Sequence, residues 1–299
     1  MHITITLYKE DQVALPCTEE LQKLSDNEIY NKQRNLRHPI ALYSKSLNTA
    51  LKSLEELTNA TRELLFSQEN SVLETAKEKT KSYLLDLFTH LEDCKAVLKT
   101  VYPPEQEKEL QKALRNFSSL IESFRKHIAI QANKIKHNQS EIRTITFHWS
   151  AGFSPGYFIE SMLPNEVLGP DPEVHPQSNS AFSYAREIRK SICGIFFVSS
   201  ALATAIREKT KKPINNQQRY SHPQIEKISE IIRLYFDFYF PDEIHKPNPR
   251  VELKNSEIKI SYPSKIKPKA MPQRVRIKTT LAGDGYTKSF ALPYFKEGQ

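Results

Sequence analysis

The sequence predicts a mainly helical fold, a bundle of long helices followed by a small antiparallel β element. Three observations carry this. Leu, Ile and Phe recur at alternating spacings of three and four over most of residues 19–143. Glycine is scarce, with 7 in 299 residues, so the phosphate turns of doubly wound nucleotide folds have nothing to build on. Beyond Pro241 the pattern changes to strand-like alternation. Hydrophobic residues at 38 % and charged residues at 26 % suit a chain that buries a core.

The elements follow in order. Ile3, Ile5 and Leu7 alternate with Thr4 and Thr6, which is strand periodicity. A first helix is expected from about residue 19, ended by Pro39. A second, from about 40 to 66, places Tyr43, Leu47, Leu51, Leu54, Thr58, Thr61 and Leu65 on one face. A third, from about 69 to 101, carries Leu84, Leu87, Leu91, Cys94, Leu98 and Val101 and stops before Pro103. The fourth holds an unbroken seam of Leu110, Leu114, Phe117, Ile121, Phe124, Ile128, Gln131, Ile135, Asn138 and Ile142. Such a seam packs along a partner helix, within the bundle or across a homodimer or protein partner. Gln131 and Asn138 are amides at core-facing positions, and each requires a defined hydrogen-bond partner.

A loop insertion spans 146–180, after which helices are expected over 181–209, capped by Ser180, and 223–240. The segment "RVELKNSEIKISYP" reads as a hairpin turning at Asn255-Ser256, which the N-terminal strand can join. A second hairpin is expected around Asp284-Gly285. This divides the chain into an N-terminal arm (1–18), a helical bundle (19–240) and basic β hairpins (241–299).

Cys17, Cys94 and Cys193 lie far apart, so no disulfide framework or C-x-x-C site is expected, and a reducing, cytoplasmic setting follows. The N-terminus lacks a signal-peptide pattern. The apolar stretch 192–206 is shorter than the ~20 residues of a membrane span and reads as a core helix, so no membrane partner is expected. The nine histidines form no H-x3-H or H-E-x-x-H pair, so neither a metal nor another cofactor is expected.

Gly152-Phe153-Ser154-Pro155-Gly156 matches the G-x-S-x-G elbow of serine hydrolases. Pro155 stands where the elbow needs a backbone N–H for its oxyanion hole, and proline has none. The motif therefore reads as a tight loop and the hydrolase is rejected.

The net charge of +8 admits a polyanionic partner, RNA or DNA. Its densest basic patch is Lys265, Lys267 and Lys269 in a loop, then Arg274, Arg276 and Lys278 alternating along a strand. Phosphate contact and a solvated strand face both account for that pattern.

At the end of the seam helix, "QANKIKHNQSEIR" spaces Asn133, His137 and Glu141 four apart, on one helical face. The run "ANKIKHN" resembles the signature of HEPN domains, all-helical modules of prokaryotic defence and toxin–antitoxin systems. That signature is an arginine, a polar residue, a few more residues and a histidine. The resemblance implies a metal-independent ribonuclease, with Asn133 at the polar position and His137 as its catalytic histidine. Ala132 stands at the arginine position, and an alanine supplies no cation to a scissile phosphate. Lys134 and Lys136 supply charge for nucleic acid but not the bidentate fork of arginine. A literal Arg-x4-His occurs at Arg143 and His148, across a stretch that looks like strand. Two readings result: a HEPN-like, nucleic-acid-binding defence or toxin–antitoxin component, and a non-enzymatic helical adaptor of a multiprotein complex.

Overall fold

A computed structural model describes residues 3–8, 15–67, 69–137, 140–149, 152–163, 168–176, 181–211, 223–234, 239–240, 243, 248–254 and 257–262. Its helices are α1 (Pro16–Gln22), α2 (Pro39–Glu63), α3 (Asn70–Thr100), α4 (Glu107–Lys136), α5 (Tyr184–Thr210) and α6 (Pro223–Leu234). Its strands are β1 (Ile3–Tyr8), β2 (Ser140–Trp149), β3 (Gly152–Met162), β4 (Leu168–Pro170), β5 (Phe182–Ser183), β6 (Arg250–Lys254) and β7 (Glu257–Tyr262). The fold is mainly α with small antiparallel β elements, as the sequence predicts.

The long helices start and stop for local reasons. Pro39 opens α2 at a position where its missing N–H costs nothing. Pro103 and Pro104 follow α3 and force the turn into α4, which packs back along it. The N-cap of α5 is Ser183, not Ser180: its hydroxyl accepts from the Arg186 N–H, and Lys211 closes the far end in the left-handed region at φ 55°. The first helix is shorter than expected. It ends at Gln22, and Ser25 with Glu28 forms a capping box on a 3-10 turn at Asp26–Glu28.

Every predicted seam residue of α2 and α3 is buried apart from Leu65, which lies beyond α2 and is half-buried. On α4, Leu110, Phe117, Ile121, Phe124, Ile128, Gln131 and Ile135 are buried and Leu114 is half-buried, all within this one chain. Helix α5 is central, touching α1, α3, α4, α6, β1, β3 and β7. It is long and apolar enough to cross a bilayer, yet 72 % of its most apolar window is inside the fold, as in a core helix. Gly194 lets α5 approach α4, because a Cβ there would collide with the Phe124 ring.

Two expectations for residues 138–180 are corrected. Helix α4 ends at Lys136, and Ile142 sits in β2 rather than on the seam. Ile142, Thr144, Ile145, Thr146 and Phe147 are dense in β-branched and aromatic side chains, and pairing with β3 favours a strand over another helical turn. The motif Gly152–Gly156 is likewise not a loop; it opens β3, with Ser154 opposite Phe147 and only 1 % exposed. Gly156 is required there because a Cβ would meet the Phe182 carbonyl and the Phe240 ring. Together β2, β3, β4 and β5 form a sheet against the bundle. Tyr157 and Ile159 join the main core, whereas Phe158 packs with Ile145, Phe147, Ala181 and Phe240 in a second cluster.

The second sheet has strand order β1-β7-β6, with β1 and β7 antiparallel from Ile3↔Tyr262 to Tyr8↔Glu257. The expected hairpin at 250–263 and its union with the N-terminal strand are both present, over the described residues. The hairpin expected around Asp284-Gly285 lies outside the described residues.

Candidate functional site

The tip of α4, where the sequence concentrates polar groups, is taken apart by the end of the helix. Asn133 is exposed on the last turns and His137 is exposed at the C-cap, but Glu141 belongs to β2 and shares no helical face with them. Ala132, at the position of the HEPN arginine, is 1 % exposed, so that position faces the core. Lys134 bridges Asp171 at 3.1 Å and Glu173 at 2.9 Å, and hydrogen bonds to Glu173 and Asp171 raise its pKa. Arg143 donates to Glu160 at 2.9 Å and lies 3.4 Å from Glu141. Neither cation is free for a phosphate. The side chain of His148 lies outside the described residues, as do Asn138, Lys265, Lys267, Lys269, Arg274, Arg276 and Lys278.

Beside this tip runs a groove of about 260 Å3 lined by Lys77, Glu78 and Lys81 of α3, Ile135 of α4, and Ser140, Glu141 and Ile142 of β2. Lys77 pairs with Glu74 at 3.2 Å. Lys81, and Lys136 just past Ile135, make no ion pair among the described residues. Ser140 is 8 % exposed, and its buried Oγ has no hydrogen-bond partner among the described residues. A buried hydroxyl without a partner costs about 1–3 kcal/mol, and an acceptor entering from the groove would relieve it.

Gln131 fulfils the prediction of a partnered buried amide. It is 0 % exposed; its Oε1 accepts from the Tyr157 hydroxyl at 2.9 Å and its Nε2 donates to the His127 carbonyl at 3.0 Å. Through it runs a polar cluster that sequence reasoning missed. His127 Nε2 lies 2.6 Å from Glu187 Oε2, and Glu187 Oε1 lies 3.3 Å from Arg186 and 3.7 Å from Lys190. Burial works to raise the Glu187 pKa, but His127, Lys190 and Arg186 outweigh it and hold the carboxyl below its ordinary range. Burial lowers the His127 pKa, against the pull of Glu187. With Glu187 ionised, His127 donates its Nε2 proton to that carboxylate, which fixes the orientation of the ring. Arg186 also donates to Asn248, whose amide donates to the Glu243 carbonyl; Glu243 in turn accepts from Ser183 at 2.5 Å. The cluster's charges are thus largely matched internally, tying α4, α5 and the 240s segment together. The sequence signal for it was faint: His127 falls between the seam positions Phe124 and Ile128, and Glu187 reads as an ordinary first-turn acid of α5.

Among the described residues no group of three or more His, Cys, Asp or Glu side chains is placed to hold a metal ion. The three cysteines are free and buried. No known protein family, no curated protein and no solved structure matches the chain.

Proposed function

We propose that the protein is a HEPN-like, nucleic-acid-binding component of a prokaryotic defence or toxin–antitoxin system, and that it contacts phosphates at the groove beside the α4 tip. The observation that carries this reading is the Ser140 hydroxyl, which has no hydrogen-bond partner among the described residues. Lys81 lines its groove and Lys136 follows the lining residue Ile135, and neither lysine makes an ion pair among the described residues. A phosphate there would supply the missing acceptor and release counterions from two lysines. The chain's net charge of +8 favours the same partner.

Fluorescence anisotropy with labelled single-stranded RNA and duplex DNA tests this. Affinity is expected to fall steeply with salt. In Lys81→Gln/Lys136→Gln the log–log salt slope should flatten by about 1.5 to 2, the share of two phosphate contacts. Absent or salt-independent binding overturns the reading. Metal-free RNA cleavage that His137→Ala abolishes would add the ribonuclease.

The second reading, a non-enzymatic adaptor, is favoured by Lys134 and Arg143, each held by two carboxylates rather than left for a substrate.

A further inference from the structure

On the opposite half of the α2–α3 pair lies another groove, with a volume of about 340 Å3. From α2 and the residues before it come Arg37, Leu42, Lys45, Ser46 and Thr49; from α3 come Asp86, Thr89 and Asp93. The two helices are antiparallel, so the start of α2 meets the end of α3. Arg37 and Lys45 therefore share one end with Asp93, while Thr49 and Asp86 form the other. Asp86 and Asp93 are seven residues apart on one helix, a separation of about 10 Å.

The two ends differ in charge. Asp93 is next to cations: burial raises its pKa, while a hydrogen bond from Ser46 and the fields of Lys45 and Arg37 oppose the rise. Asp86 accepts a hydrogen bond from Ser53 but meets no cation within ion-pair distance among the described residues. The floor between them is set from behind, since Ser46 Oγ lies 2.9 Å from Nδ1 of the fully buried His90. Leu42 supplies an apolar wall.

We infer that this groove is a binding site for a small dipolar ligand of the basic amino-acid class. Its carboxylate would face Arg37 and Lys45, its α-ammonium Asp93, and its side-chain cation Asp86, with the methylenes along Leu42. That arrangement places each ligand charge opposite a side chain of the other sign, across a span that the length of arginine matches. The inference stands apart from nucleic-acid binding, because the groove shares no lining residue with the one at the α4 tip.

Isothermal titration calorimetry of the full chain with L-arginine, with putrescine (cations only) and with glutarate (anions only) tests it. L-Arginine should give a saturable isotherm, and the other two should bind about tenfold more weakly or worse. Asp86→Asn should weaken arginine binding about tenfold, and Lys45→Gln, an exposed change that leaves the core intact, should do the same. No saturable heat with arginine overturns the inference, as does equal binding of putrescine or unchanged affinity in both variants.

Discussion

Two histidines, one buried and one half-buried, sit in the same bundle and are held in opposite ways. His90, on α3, has no carboxylate against it among the described residues: its Nδ1 faces Ser46 Oγ at 2.9 Å, its Nε2 faces Cys94 Sγ at 3.7 Å, and Tyr43 packs at 5.4 Å between ring centroids. His127, on α4, is 17 % exposed and rests against Glu187, with Arg186 and Lys190 behind that carboxylate. Burial lowers the pKa at both sites, to about 4 at His90, where nothing offsets it. The difference shows two ways to store an imidazole in a core. One site needs only neutral partners and stays uncharged; the other needs a full set of counter-charges and fails if one is removed.

Removing Glu187 should therefore have the largest effect. Glu187→Ala leaves Arg186 and His127 buried without their anion, and the expected loss is about 3–5 kcal/mol in urea denaturation. Glu187→Gln keeps the shape and should lose less. A loss in Glu187→Ala no larger than that of an exposed alanine substitution would mean that the cluster is solvated, and the contrast with His90 would disappear.

The next effect belongs to His90 and appears with pH. Its folded pKa of about 4 lies below an unfolded value of about 6.5, so the unfolded chain binds the extra proton in that interval. Stability from this group is present above about pH 6.5 and is lost as pH falls towards 4, by about 3 kcal/mol. Glu187, with its pKa depressed, loses its contribution only below the ordinary carboxylate range. Subtracting the pH–stability curve of His90→Gln from that of the wild type isolates the histidine. A flat difference between pH 6.5 and 4 would show that His90 is charged in the folded state.

These two sites also mark how far the sequence could be read. The α3 face around His90 was legible, since Leu84, Leu87, Leu91, Cys94 and Leu98 repeat at helical spacing and all are buried. Gln131 was legible for the same reason, as a polar residue on an apolar stripe. The sheet was not. In β2, Ile142 satisfies the seam rhythm and strand alternation alike, so periodicity could not mark where α4 stops. β3 is buried on both faces, which removes the polar alternation that would have announced it, and its Pro and Gly imitate a turn. The partners of His127 and Lys134 come from α5 and the 171–173 turn, more than thirty residues away in sequence. Pairings of that range are fixed by topology, and no local spacing encodes them.

The smallest effect probes where the charged cluster meets its neutral neighbours. Tyr157 donates to Gln131 Oε1 at 2.9 Å, and its ring packs on Phe182 at 5.5 Å and Tyr184 at 5.3 Å. Tyr157→Phe keeps those ring contacts but leaves the Gln131 acceptor buried without that donor, so the expected loss is about 1 kcal/mol. Gln131→Leu alone should cost more, because it strips both the Tyr157 hydroxyl and the His127 carbonyl of a partner. The double variant should be less destabilised than the sum, since neither half of the Tyr157–Gln131 bond is left buried and unpaired. Strict additivity in denaturation midpoints would show that the hydroxyl and amide are satisfied independently, and the amide would then be a packing residue rather than the link between α4 and β3.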